Sequence, residues 1–177
     1  MLNLTVFCSS KNNLEPIYCN KVIELTNKLD STKITLVYGG GTNGLMGIIR
    51  NNWEKKSGKI ITANIYKFTE PNIPDDYLFE LIDDRQKKLV ELGDIYLVLP
   101  GGYGTHFEAL EVMTKNDIGE SSKPIFILNT NKIFNYLLSH IQRLIEERFI
   151  TKDLEKIKVF VTENIDELAE KINNFTK

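Results

Sequence analysis

Short apolar runs alternate with amphipathic segments along the whole chain, and no other feature restricts the fold as much. Runs rich in apolar and β-branched residues at 2–8, 34–38, 59–65, 78–82, 94–99, 124–128 and 157–161 read as strands. Between them, segments with a helical stripe read as helices at 16–29, 44–56, 83–92, 105–116, 133–148 and 164–174. The run at 94–99 (Asp-Ile-Tyr-Leu-Val-Leu) is almost unbroken, as expected of a strand covered on both faces. Alternation of this kind predicts βαβ units: an α/β, Rossmann-like, doubly wound and mainly parallel sheet with helices on both faces. With 177 residues and no linker or repeat, the expectation is one domain over 1–177. Residues 70–76 (Glu-Pro-Asn-Ile-Pro-Asp-Asp) read as a surface loop.

In such sheets ligands bind outside the carboxyl ends of the strands. Glycine is concentrated there. Five of the 11 glycines lie at 39, 40, 41, 44 and 47, and three more at 101, 102 and 104. Each cluster directly follows a strand and precedes a helix.

The first cluster satisfies G-x-G-x-x-G at Gly39, Gly41 and Gly44. A dinucleotide site would place this pattern after the first strand, with an acidic residue ending the next one. Here it follows the second strand, and Lys59-Ile-Ile-Thr-Ala-Asn-Ile-Tyr66 ends without an Asp or Glu. A P-loop is excluded because Leu45 and Met46 stand where Lys and Ser/Thr belong. Two readings remain: a tight turn with close helix–sheet packing, or backbone contact with a ligand through Gly40, Gly41 and Gly44. Five glycines in one turn favour the second.

The second cluster, Pro100-Gly101-Gly102-Tyr103-Gly104-Thr105-His106-Phe107-Glu108, is the strongest signal in the chain. Proline ends the strand ladder, and the glycines leave backbone donors uncovered at a helix N-terminus. Thr105 adds a hydroxyl, and together they suit an anion such as phosphate. Glu108 follows within about one turn. Spacing alone leaves open whether it faces the ligand or simply complements the helix dipole.

Composition narrows the chemistry. Lys+Arg is 22 and Asp+Glu is 24, a net charge of −2, which argues against a nucleic-acid partner. No apolar stretch reaches the ~20 residues of a membrane span, and the first residues do not read as a signal peptide. Two cysteines, Cys8 and Cys19, are no disulfide framework, and a cytoplasmic location is expected. Two histidines, His106 and His140, do not make a multi-histidine metal site, and no metal is expected.

The motifs together resemble a known family. P-G-G-x-G-T-x-x-E matches 100–108 in full, and Y-G-G-G-x-x-G-L-M-G matches 38–47. The chain is similar to the LONELY GUY (LOG) proteins, also called possible lysine decarboxylases, from Val6 to about Ile150. The resemblance implies a Rossmann-like, usually dimeric phosphoribohydrolase. Such an enzyme cleaves the N-glycosidic bond of AMP or cytokinin ribotides, giving free base and ribose 5-phosphate, without a cofactor. It implies Arg85 and Glu108 as the catalytic pair, and Gly101, Gly102, Gly104 and Thr105 as the phosphate-binding groups. The expected partners are a nucleoside monophosphate and a second copy of the chain. Two departures stand out. The family usually reads M-x-x-R-K where this chain has Ile82-Asp83-Asp84-Arg85-Gln86, and commonly C-G-S-S where it has Cys8-Ser9-Ser10-Lys11.

Without the resemblance, Arg85 reads as a surface helix residue paired with Asp83 or Asp84. Glu111, three residues after Glu108, shares its helical face and is a further candidate for the site. His106 is read as a loop residue outside the catalytic set, Tyr103 as an exposed ring, Trp53 as packing or a dimer contact, and Cys8 as a small buried apolar residue. The competing function is a non-catalytic carrier of the same fold, such as a molybdenum-cofactor carrier, which needs the anion cradle without the Arg–Glu pair. Lysine decarboxylation is disfavoured, since nothing marks a lysine for a pyridoxal Schiff base.

Overall fold

Strand residues alternate between two cores, and this decides the architecture. In a strand, successive side chains point to opposite faces. Leu2, Leu4 and Val6 of β1 (Leu2–Phe7) join Ile34, Leu36 and Tyr38 of β2 (Ile34–Tyr38) on one side. Phe7, Val37 and, from β5 (Ile95–Val98), Tyr96 and Val98 point to the other. The remaining strands are β3 (Ile60–Ile65), β4 (Tyr77–Phe79), β6 (Ile125–Leu128) and β7 (Val159–Thr162). The computed structural model describes every residue except Asn72 and Lys177. Asn72 belongs to the loop expected at 70–76, and Lys177 ends the expected domain.

The seven strands form one sheet in the order β4-β3-β2-β1-β5-β6-β7, and each pairing is parallel. Leu4 stands opposite Leu36 on one side of β1 and opposite Ile95 on the other. The order reverses between β1 and β5, so the crevice at their carboxyl ends is the topological switch point. Helices α1 (Pro16–Lys28), α2 (Gly44–Lys55) and α6 (Ile165–Asn173) cover one face through Leu25, Ile49 and Leu168. Helices α3 (Ile82–Leu92), α4 (Tyr103–Asp117) and α5 (Asn135–Glu146) cover the other through Leu89, Val112 and Ile141. This is the doubly wound sheet expected from the alternation.

Local signals explain several boundaries. Pro16 starts α1, where its missing N–H is no loss. Asn164 caps α6 by accepting the N–H groups of Asp166 (2.9 Å) and Glu167 (3.2 Å). Trp53 is fully buried and donates Nε1–H to the Lys59 carbonyl at 3.1 Å, so it serves packing. Boundaries differ from expectation by a few residues at β4, α4, α5 and β7, and two of these differences bear on the site. Strand β4 ends at Phe79, and Ile82 opens α3 instead of closing the strand. Helix α4 begins at Tyr103, two residues earlier than expected, so Gly104 joins its first turn, and His106 lies in that turn and not in a loop.

Candidate active site

The loops that leave β1, β2 and β5 meet above the switch point and enclose a cavity of about 460 Å³. That is within the usual size of a small-molecule site, roughly 300–1,000 Å³. The two glycine loops face it in different ways. In α2 the N-terminal N–H groups are already used. Gly44 donates to Asn12 Oδ1 (3.0 Å), Leu45 and Met46 to the Ser9 carbonyl (3.0 and 3.3 Å), and Gly47 to the Asn43 carbonyl (3.2 Å). In α4 the N–H groups of Tyr103, Gly104 and Thr105 have no acceptor among the described residues, and the first helical bond recorded is His106 N–H to the Gly102 carbonyl at 3.1 Å. The free anion-binding donors are therefore those of the second loop.

Glycine is required in both loops, for different reasons. A Cβ on Gly39 would lie 2.0 Å from Arg85 Nη2, so the absent side chain leaves room for the guanidinium. Gly40 has φ +82°, and a Cβ there would press within 2.4 Å of Asp75 Oδ1. A Cβ on Gly101 would collide with the Thr105 hydroxyl at 2.0 Å, whereas Gly102 and Gly104 border open space. Gly41, Gly102, Gly104 and Thr105 line the cavity, while Gly40, Gly44 and Gly101 stand behind its lining.

Arg85 and Glu108 come together at the cavity wall. Arg85 leaves the first turn of α3 and points inward, donating Nε–H to the Ala63 carbonyl at 3.0 Å and Nη1–H to Glu108 Oε1 at 3.2 Å. The two residues are only 7% and 5% exposed, so the surface reading of Arg85 with Asp83 or Asp84 is replaced by a buried ion pair. Burial pushes the Glu108 carboxyl up to about 7, against the opposing pull of the Arg85 charge and with a smaller push from Glu111. Cys8 lies on the cavity wall as well. Burial and the Glu108 charge hold its thiol well above the usual range, which makes it an inert apolar contact.

Glu111 does not line the cavity. Its Oε1 is 3.9 Å from Lys115 Nζ, and its buried Oε2 has no hydrogen-bond partner among the described residues. His106 bonds Nδ1 to the Gly102 carbonyl at 2.8 Å and packs near Phe134, while Tyr103 is 98% exposed at the rim. Several cavity residues escaped the sequence reading: Lys11, Met46, Asn64, Phe68, Glu70 and Ile82. Most sit at or just beyond carboxyl ends of strands, which is the signal that marks them. Glu70 accepts both the N–H and the hydroxyl of Thr42, tying the segment after β3 to the first glycine loop. Asn64 donates to Asp75 Oδ2 at 3.1 Å and accepts the Ile65 N–H at 2.9 Å, so its amide serves to hold that segment.

Parallel sheet, switch-point cavity, open helix N-terminus and buried carboxylate–guanidinium pair define a Rossmann-like α/β protein whose cavity sets free N–H donors beside an ionisable carboxyl group. The family model described as "Possible lysine decarboxylase" matches residues 36–172, and the chain belongs to that family. Among similar proteins is the cytokinin riboside 5'-monophosphate phosphoribohydrolase LOG7 of Arabidopsis thaliana, 33% identical over 97% of this chain and 81% of its own length. The probable enzyme of the same name, LOGL2, of Oryza sativa subsp. japonica is 33% identical over 97% of this chain and 72% of its own. In fold the chain is similar to the molybdenum cofactor binding protein of Rippkaea orientalis, with TM-score 0.69, 17% identity, and 97% and 94% of the two chains covered. At that identity the likeness concerns the fold alone.

Proposed function

We propose that this chain is a nucleoside 5'-monophosphate phosphoribohydrolase, hydrolysing the N-glycosidic bond of AMP or cytokinin ribotides to free base and ribose 5-phosphate. The observation that carries the reading is the buried Arg85–Glu108 pair beside an open helix N-terminus in one cavity. The full-length similarity to named phosphoribohydrolases supports it.

The phosphate seats on the N–H groups of Tyr103, Gly104 and Thr105 and on the Thr105 hydroxyl, where the helix dipole favours negative charge. This fixed anchor orients the ribose over Glu108. As the C1'–N bond breaks, its electron pair leaves with the base and positive charge grows on the ribosyl ring. The Glu108 carboxylate stabilises that charge and takes a proton from the attacking water, whose oxygen bonds to C1'. The proton that Glu108 took from the water passes on to the departing base, which leaves neutral while Glu108 returns to its carboxylate form, so atoms and charge balance. Arg85, itself held by the Ala63 carbonyl, orients Glu108 and favours its ionised form. The direct test is chromatography of AMP and isopentenyladenosine monophosphate incubated with the protein. Release of free base and ribose 5-phosphate supports the reading, and nucleotide binding without release favours a carrier.

The same reading takes the chain as one domain, active as a homodimer in the cytoplasm. Leu81, Ile82, Phe107 and Leu110 leave large apolar side chains 42–62% exposed on α3, α4 and the residue before α3. These exposed apolar side chains, on and beside the helices that carry the pair, are the proposed dimer face. Light scattering of the purified protein tests it, and a monomer at micromolar concentration counts against it.

A further inference from the structure

Among the described residues, four charged side chains line the cavity, and three are already engaged. Arg85 is bound to Glu108 and to the Ala63 carbonyl, and Glu70 is bound to Thr42. The fourth is Lys11, whose ammonium group has no ion pair or hydrogen bond. Its backbone, by contrast, is fixed. Lys11 N–H donates to Ser9 Oγ at 3.1 Å, and its carbonyl and amide abut Gly44, where a Cβ would come within 2.5 Å. Ser9 N–H donates to the Pro100 carbonyl at 3.1 Å, so the Lys11 loop runs beside the second glycine loop, at the ends of two adjacent strands. A tethered backbone thus carries a free cation on the wall of the cavity that the residues of the open α4 N-terminus also line.

Charge balance gives this cation a task. A phosphate monoester brings close to two negative charges into a cavity that already holds the carboxylates of Glu70 and Glu108. Arg85 alone does not offset these, and its guanidinium is committed to Glu108. We propose that Lys11 is a substrate-phosphate ligand, and that it sets this chain's preference for a phosphorylated nucleoside over the unphosphorylated one. The inference rests on the nucleotide reading above.

The test measures binding and turnover separately. Ribose 5-phosphate and ribose are titrated calorimetrically into the unaltered protein, Lys11→Met and Lys11→Arg, with thermal melting as a control for folding. Loss of a charge-assisted contact predicts about tenfold or more weaker ribose 5-phosphate binding by Lys11→Met, and recovery in Lys11→Arg. In the base-release assay the loss appears in KM for AMP and leaves KM for adenosine unmoved. Equal ribose 5-phosphate affinity in Lys11→Met and the unaltered protein overturns the role of Lys11, as does absence of binding by the unaltered protein. If Lys11→Met weakens binding but the unaltered protein releases no base, Lys11 stands as a phosphate ligand and the hydrolase reading falls.

Discussion

Arg85 Nη1 lies 3.2 Å from Glu108 Oε1, and this buried pair joins α3 to α4 across the cavity wall. Removing one member leaves the other charged and unpaired away from water, which typically costs about 3–5 kcal/mol. Arg85→Met therefore destabilises the fold and raises the Glu108 carboxyl further. The expected result is a lower melting temperature, together with a base-release profile displaced to higher pH. An unchanged profile contradicts the pairing.

The pH dependence of the unaltered protein follows from Glu108. Its carboxyl is raised from 4.5 to about 7, chiefly by burial. In the proposed reaction the ionised form does the chemistry, so base release should rise with pH through about 7. Stability runs the other way. A raised carboxyl favours the folded state below its unfolded value, and that contribution fades as pH climbs from about 4.5 through 7. By linkage it amounts to about 3 kcal/mol at most. Denaturant titrations at pH 5 and pH 8 should show the unaltered protein losing stability relative to Glu108→Gln over this window.

Two glycine substitutions should separate folding from binding. Gly39→Ala drives a methyl group into the Arg85 guanidinium, so it should lower both the melting temperature and kcat, with about 1–3 kcal/mol of strain. Gly104→Ala meets open space within the first turn of α4 and replaces a poor helix former. It should stabilise the fold by about 0.5–1 kcal/mol while raising KM, because the methyl group projects where phosphate seats. Paired melting and kinetic measurements check both directions.

Glu70 accepts two hydrogen bonds from Thr42. Thr42→Val removes the hydroxyl but keeps the backbone N–H bond, and should loosen the tie between the segment after β3 and the first glycine loop. Hydrogen exchange at residues 66–70 is expected to speed up, with a smaller loss of overall stability of about 1 kcal/mol.

The strands and helices were readable because hydrophobic periodicity is local. Every expected strand and helix exists, with shifts of a few residues at β4, α4, α5 and β7. The second glycine loop was readable too, since strand end, glycines and helix start lie in one run of sequence. The inward course of Arg85 was not. Its neighbours Asp83, Asp84 and Lys87 are exposed, and the partners that draw the guanidinium in, the space over Gly39, the Ala63 carbonyl and Glu108, are all distant in sequence. Nor was the sealed N-terminus of α2 readable, because its acceptors in Ser9 and Asn12 are more than thirty residues away. The five-glycine loop consequently makes room for Arg85 and contributes Gly39 and Gly41 to the cavity lining, while the free helix N-terminal donors belong to the shorter loop.

The central claim is that the Glu108 carboxylate carries out glycosidic hydrolysis in this cavity. Glu108→Gln keeps the shape and retains a polar partner for Arg85, while removing the charge. Chromatographic measurement of adenine released from AMP should show a loss of about 10²–10⁴-fold, with ribose 5-phosphate binding and the folded state preserved. Turnover equal to that of the unaltered protein would contradict the account.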